Sequence, residues 1–203
     1  MIADVSPWAQ IRGGRAMDML HPDAAQIDFR AVADTLAQIN RFAGNADKPI
    51  SVAMHTLIVC DAAEPTDRPY ALLHDAHEAH LGDITTPVAE ALEAIARHAG
   101  EDTNAVRRAL RSLKDRHDAA FLRAAGLPPP DHEQQRRIRR ADVVALMTER
   151  RDFLGQPPRP WNPVFEAVPP LRKVYRLRKP ADVADELYDK FRRFLPALAA
   201  RTM

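Results

Sequence analysis

Apolar residues in this chain return at three- and four-residue steps, and β-branched alternation is scarce. A chain so patterned buries one stripe per segment and folds as helices packed on one another. Ala, Leu, Arg and Glu, all good helix formers, dominate it. The breaks in the pattern place the elements. Asp28 precedes a segment carrying Val32, Leu36 and Ile39 on one face, and Ser51 precedes a segment reaching about Ala62; both are residue types whose side chains cap helix N-termini. A loop from Ala43 to Pro49 separates them. Pro69 opens a third helix through Leu72-Leu73 to Gly82, and Pro87 a fourth toward Ala99. A long helix with Val106, Leu110, Leu113, His117 and Phe121 stops at Gly126 and Pro128-Pro129-Pro130, and Asp131 caps another to about Phe153. The proline-rich stretch Gly155 to Pro170 reads as an extended connection on the surface. After Pro180 a last amphipathic helix sets Val183, Leu187, Phe191 and Phe194 on one stripe. Ile11 and Met17 to Leu20 flank Gly13-Gly14, a pair that admits the positive φ of a tight hairpin. The expectation is one all-α domain over residues 1–203 with a small N-terminal β-hairpin.

Composition removes several functional classes. With 46% hydrophobic and 28% charged residues the chain can bury a core. Twenty-nine Lys and Arg against 28 Asp and Glu argue against a binder of nucleic-acid polymers, which carries a basic excess. No apolar stretch nears the roughly 20 residues that span a bilayer, and Met1-Ile2-Ala3-Asp4 lacks the basic and apolar regions of a signal peptide. The single cysteine, Cys60, forms no intrachain disulfide, which fits a cytoplasmic protein.

Histidine is the compositional oddity: four of the eight fall between positions 55 and 80. His74-Asp75-Ala76-His77-Glu78, followed by Asp83, is the densest run of potential ligands. On a helix His74 and Glu78 share a face, whereas the adjacent His74 and Asp75 meet one cation only if it lies between their projections. Other segments must then contribute. His55 sits inside the apolar run Val52 to Val59, and Asp142 stands among the core-like Ala141, Val143, Val144 and Leu146. A buried carboxylate is costly unless it is paired or metal-bound, and three helices pointing such groups at one divalent cation remove that cost. Taken singly, each has a plainer reading: a lone histidine on an apolar helix is usually a hydrogen-bonded core residue, and Asp142 can pair with an arginine. His77, His80, His98, His117 and His132 read as surface or packing histidines, with His77 or His80 able to line a site. Arg151 reads as a surface ion pair.

The ordered set His55, His74-Asp75 and Asp142 resembles the H…HD…D signature of the HD-domain metal-dependent phosphohydrolases. Asn40 to Gly44, Ser51 to His55, Leu73 to Pro87, the stretch from Ala141 to Asp152 and Trp161 to Val164 resemble the branch of bacterial 5′-deoxynucleotidases and phage-type deoxynucleotide hydrolases. The resemblance spans about residues 8 to 195. It implies an HD-domain helical bundle whose His55, His74, Asp75 and Asp142 bind a divalent metal; two imidazoles and two carboxylates suit Mn, Co, Mg, Zn, Fe or Ni. It further implies that Glu78 orients or deprotonates the attacking water, that Asp83 positions substrate, and that Arg41 grips a phosphate. Phe42 would lie near the sugar, where relatives often carry Trp. Relatives also often carry Lys where this chain has Ala89, a change that weakens triphosphate binding more than monophosphate binding. The implied reaction is release of phosphate from a (deoxy)nucleoside 5′-monophosphate by a cytoplasmic homo-oligomer. The alternatives are a dNTP triphosphohydrolase and a nucleotide-sensing domain without turnover.

Overall fold

The computed structural model describes residues 6–200; the Met1 to Asp4 opening lies outside them. An antiparallel hairpin, β1 (Trp8–Ile11) and β2 (Arg15–Asp18), turns through Gly13 and Gly14 at φ 85° and 72°. Ten helices follow among the described residues. Asp28 caps α1 (Phe29–Leu36) by accepting from the Arg30 and Ala31 amides, and Ser51 caps α2 (Val52–Ala62) by accepting from Met54. Short α3 (Arg68–Ala71) and α4 (Glu78–Leu81) precede α5 (Thr86–His98). The two longest helices are α6 (Thr103–Ala125), stopped by Gly126 in the left-handed region, and α7 (His132–Phe153), capped by Asp131. A small α8 (Pro163–Glu166) interrupts the proline-rich connection before α9 (Pro180–Phe194) and α10 (Pro196–Ala199). The chain is mostly helical, with that one small hairpin.

Residues Val52 to Cys60 of α2 are buried without exception, as suits a helix that is apolar all round. It packs along α7 and α9, while α1 lies against α9. Phe29 of α1 meets Phe121 and Phe191 edge-on, at ring-centroid distances of 6.3 and 5.3 Å, and so ties α1, α6 and α9 into one core.

Several details differ from the sequence reading. Helix α1 ends at Leu36, and Ile39 packs on the core from beyond it. The expected helix from Pro69 to Gly82 is two short pieces, because most amides from Leu73 to His80 reach back three residues rather than four. The tighter winding places Asp75 and Glu78, not His74 and Glu78, one turn apart. Residues 41–44 of the expected loop region form a turn in which Phe42, Ala43 and Gly44 all have positive φ, at 56°, 51° and 79°.

A histidine pair, His117 buried and His80 half-buried, joins the end of α4 to α6. His117 donates from Nε2 to the Met19 carbonyl at 3.1 Å, so its Nδ1 accepts from His80 Nδ1, also at 3.1 Å. The His80 ring stacks on Phe121. Burial, then the His117 ring, pushes His80 down to about 4, and burial also lowers His117. The folded protein thus keeps His80 neutral down to about 4, and His117 is shifted in the same direction, whereas a free imidazole protonates below about 6.5. The unfolded chain therefore binds more protons in this window, and stability is lost as pH falls from about 6.5 toward 4. For His80 that loss is on the order of 3 kcal/mol. Urea midpoints measured across this range should fall steeply, and His80→Gln should flatten the slope; an unchanged slope in the variant refutes the assignment.

Candidate metal centre

Three segments carry the donors. His55 is held in the centre of α2, fully buried. His74 and Asp75 come from the tightly wound stretch after α3, and Asp142 comes from α7, which packs on α2. An antiparallel bridge between Asn40 and Ser51, with Arg41 N donating to the Ile50 carbonyl at 2.9 Å, closes the 41–50 loop and sets Arg41 beside the start of α2.

The outer nitrogens of both rings are engaged. His55 Nδ1–H donates to Glu149 Oε1 at 2.5 Å, and His74 Nδ1–H donates to the Ala71 carbonyl at 2.8 Å. Neither acceptor has an N–H to give, so each Nδ1 carries a proton and both Nε2 atoms point inward, where their lone pairs serve a cation that takes the place of a proton. Those two Nε2 atoms are 3.1 Å apart. Asp75 Oδ2 lies 3.1 Å from His74 Nε2 and 3.3 Å from His55 Nε2, and Asp142 Oδ1 lies 3.2 Å from His55 Nε2. Four electron-rich atoms this close repel unless something positive lies among them. Bonds of about 2.1 Å to one dication would space neighbouring donors about 3 Å apart. His55, His74 and Asp142 each bring a donor atom within 4.8 Å of the others, and Asp75 adds an oxygen beside both rings, a set that fits a divalent ion in kind and spacing.

The charges give the same answer. Burial and the Arg41 guanidinium push the His55 pKa down, yet the Glu149, Asp142 and Asp75 carboxylates raise it well above the usual imidazole range. Against the cost of burial, His74 and His55 hold Asp75 well below the usual carboxylate range. The pocket draws positive charge.

The other expected residues are close by. Glu78 is only 4% exposed, and burial together with Asp75 and Asp83 pushes it up to about 8. Asp83 follows Gly82, which ends α4 at φ 75°; burial raises its pKa, Asp75 adds to the rise and Arg41 opposes it. Arg41 Nε donates to Glu149 Oε2 at 3.2 Å, and an outer guanidinium nitrogen lies 3.9 Å from Asp75 Oδ2. Arg41 also lies over the Phe42 ring, 5.3 Å from its centroid.

Asp142 is not the buried carboxylate that its neighbours suggested. Its side chain is 40% exposed, because it opens onto a cleft of about 750 Å³ lined by His74, Tyr70, Leu122, Ile138 and Arg139 among others. Arg151 is engaged by Asp152 and by the Leu171 and Lys173 carbonyls, as a structural ion pair.

One participant escaped the sequence reading. Glu149, fully buried, joins His55 to Arg41. Its signal was available: it stands seven residues after Asp142, two turns along the same helix face. His77 is buried, the packing alternative of its two readings, and stands beside Glu78 and Asp75. Because a supporting carboxylate fixes a ligand's tautomer, Glu149→Gln should weaken metal binding about 10–100-fold. Calorimetric titration of metal-free protein checks this, and unchanged affinity removes Glu149 from the centre.

A helical protein with a mixed imidazole–carboxylate cluster able to hold a divalent ion is the class that fold and site define. No family model matches the chain. It is 30% identical over 189 residues to the uncharacterized protein RCAP_rcc00048 of Rhodobacter capsulatus, covering 87% of this chain and 89% of that protein. It is 32% identical over 139 residues to the uncharacterized protein YfdR of Escherichia coli, covering 68% of this chain and 67% of that one. The chain belongs to the family of these proteins. Among the described residues no helix is long and apolar enough to cross a membrane.

Proposed function

We propose that this protein is a metal-dependent phosphohydrolase of the HD type that releases phosphate from nucleoside 5′-monophosphates, with deoxynucleotides the favoured class. The observation that carries the reading is the convergence of His55 Nε2, His74 Nε2, Asp75 and Asp142 on one point while both Nδ1 atoms are engaged outward. A divalent ion there supplies Lewis-acid polarisation of a phosphoryl oxygen and lowers the pKa of water at the site.

The chain's own residues divide the remaining work. Glu78, buried beside Asp75, takes the proton of the attacking water; a carboxyl titrating near neutrality is suited to accept that proton and return it to the leaving oxygen. Arg41, kept charged by Glu149 and Asp75, counters the negative charge that builds on the phosphoryl group. The cleft that begins at His74 and Asp142 is of a volume that takes a nucleotide. Tyr70 and Leu122 offer it apolar wall for a base, and Arg123 and Arg139 offer it positive charge.

The test is a panel of nucleoside mono-, di- and triphosphates assayed with Mn, Co, Mg and Zn, with chromatography of the products. Nucleoside and inorganic phosphate from dAMP are expected. Consumption of dNTP with dNMP left intact would overturn the monophosphate assignment.

A further inference from the structure

We propose that Asp75, His77 and Glu78 bind a second divalent cation, which shares the Asp75 carboxylate with the first centre. One donor atom from each of the three lies within 4.8 Å of the others. The proposal rests on the first centre only through Asp75, whose carboxylate also lies beside the His55 and His74 rings.

What distinguishes these residues from an ordinary acidic cluster is the state of their polar atoms. His77 Nδ1 pairs with Asp118 Oδ1 at 2.9 Å. A carboxylate accepts, so the proton sits on Nδ1 and Nε2 carries a lone pair. That Nε2 is buried and has no hydrogen-bond partner among the described residues. The same holds for Glu78 Oε2, and both residues are only 4% exposed. Neither buried atom finds a partner in the other or in Asp75, and Asp75 adds a third donor oxygen beside them. Each is satisfied at once by a cation.

The local backbone explains why they face one place. Glu78 N donates to the Asp75 carbonyl, three residues back, so the tight turn stacks the Glu78 side chain over Asp75, and His77 enters from the adjoining position. Asp118, on α6, stands behind His77 as Glu149 stands behind His55: a carboxylate holding the far nitrogen of the ring. One imidazole nitrogen and two carboxylate oxygens favour Mn, Mg or Fe over softer ions. A single Glu78 oxygen on the cation leaves its other oxygen to exchange a proton with water.

Metal-free full-length protein titrated with Mn²⁺, without nucleotide, is expected to take up two ions per chain. An exchange-coupled electron paramagnetic resonance signal, reporting the shared carboxylate, should appear as the second site fills. His77→Ala should bind one ion and show only an isolated Mn²⁺ signal. Asp118→Asn, which leaves every proposed donor in place, should weaken the second step about 10–100-fold and spare the first. Circular dichroism confirms that each variant is folded. Saturation of the parent at one ion, or two coupled ions retained in His77→Ala, overturns the proposal. The titration is read without substrate and apart from the nucleotide panel: two ions in a protein that the panel finds inactive would count against the phosphohydrolase reading alone, and hydrolysis in the panel with one ion in the titration would count against the second site alone.

Discussion

Asp75→Ala is expected to abolish both divalent-metal retention and phosphate release in a protein that still folds. Asp75 is the donor that lies against both rings and the arginine: Oδ2 is 3.1 Å from His74 Nε2, 3.3 Å from His55 Nε2 and 3.9 Å from Arg41. Removing it deletes a ligand and leaves the Arg41 charge facing the vacated position, so the remaining donors must hold a dication against an arginine. The loss should exceed the roughly 10–100-fold in affinity that follows removal of a supporting residue. Asp142→Ala should also lose metal and activity, by a smaller margin, because its half-exposed position lets water replace the lost oxygen. Metal content of the purified variants, read by elemental analysis, decides the matter. A full metal load in Asp75→Ala would show that the ligand set is wrong.

Glu78→Gln separates binding from chemistry. The amide keeps the size and burial of the side chain but cannot take a proton. The ion held by His55, His74, Asp75 and Asp142 should remain, while turnover falls about 100-fold or more, the scale of general-base loss. A non-catalytic nucleotide sensor would show no such split, since a binder needs no base beside its metal. Single-turnover phosphate release by metal-loaded variant and parent makes the comparison, and equal rates would remove Glu78 from the proton transfer.

The parts of the fold readable in advance are those set by neighbours in the chain. Asp28, Ser51 and Asp131 cap helices, as their side-chain oxygens permit, and Gly126 takes the left-handed position that ends α6. His55 and Asp142 were conspicuous because they interrupt apolar runs. The tight winding between Leu73 and His80 was not readable, since residues compatible with an α-helix are equally compatible with a slightly tighter one when packing demands it. Glu149 was obscured by its company: it sits among arginines on a polar stretch of α7, and its partner Arg41 is 108 residues away in the chain. A residue that is buried through a distant ion pair looks, locally, like any surface glutamate. For His77 the sequence left surface and packing roles open, because its partner Asp118 lies on another helix.

The segment from Gly155 to Pro170 runs mostly exposed across the surface, yet the chain on either side of it is firmly anchored. Upstream lies α7; downstream, the Tyr175 amide donates to Asp152 at 2.8 Å, Lys173 pairs with Asp61, and Val183, Leu187 and Phe191 of α9 are buried. A protease that nicks this strap would therefore make two polypeptides but not two particles. The cut protein should separate into two bands on a denaturing gel and still elute as one species from a sizing column.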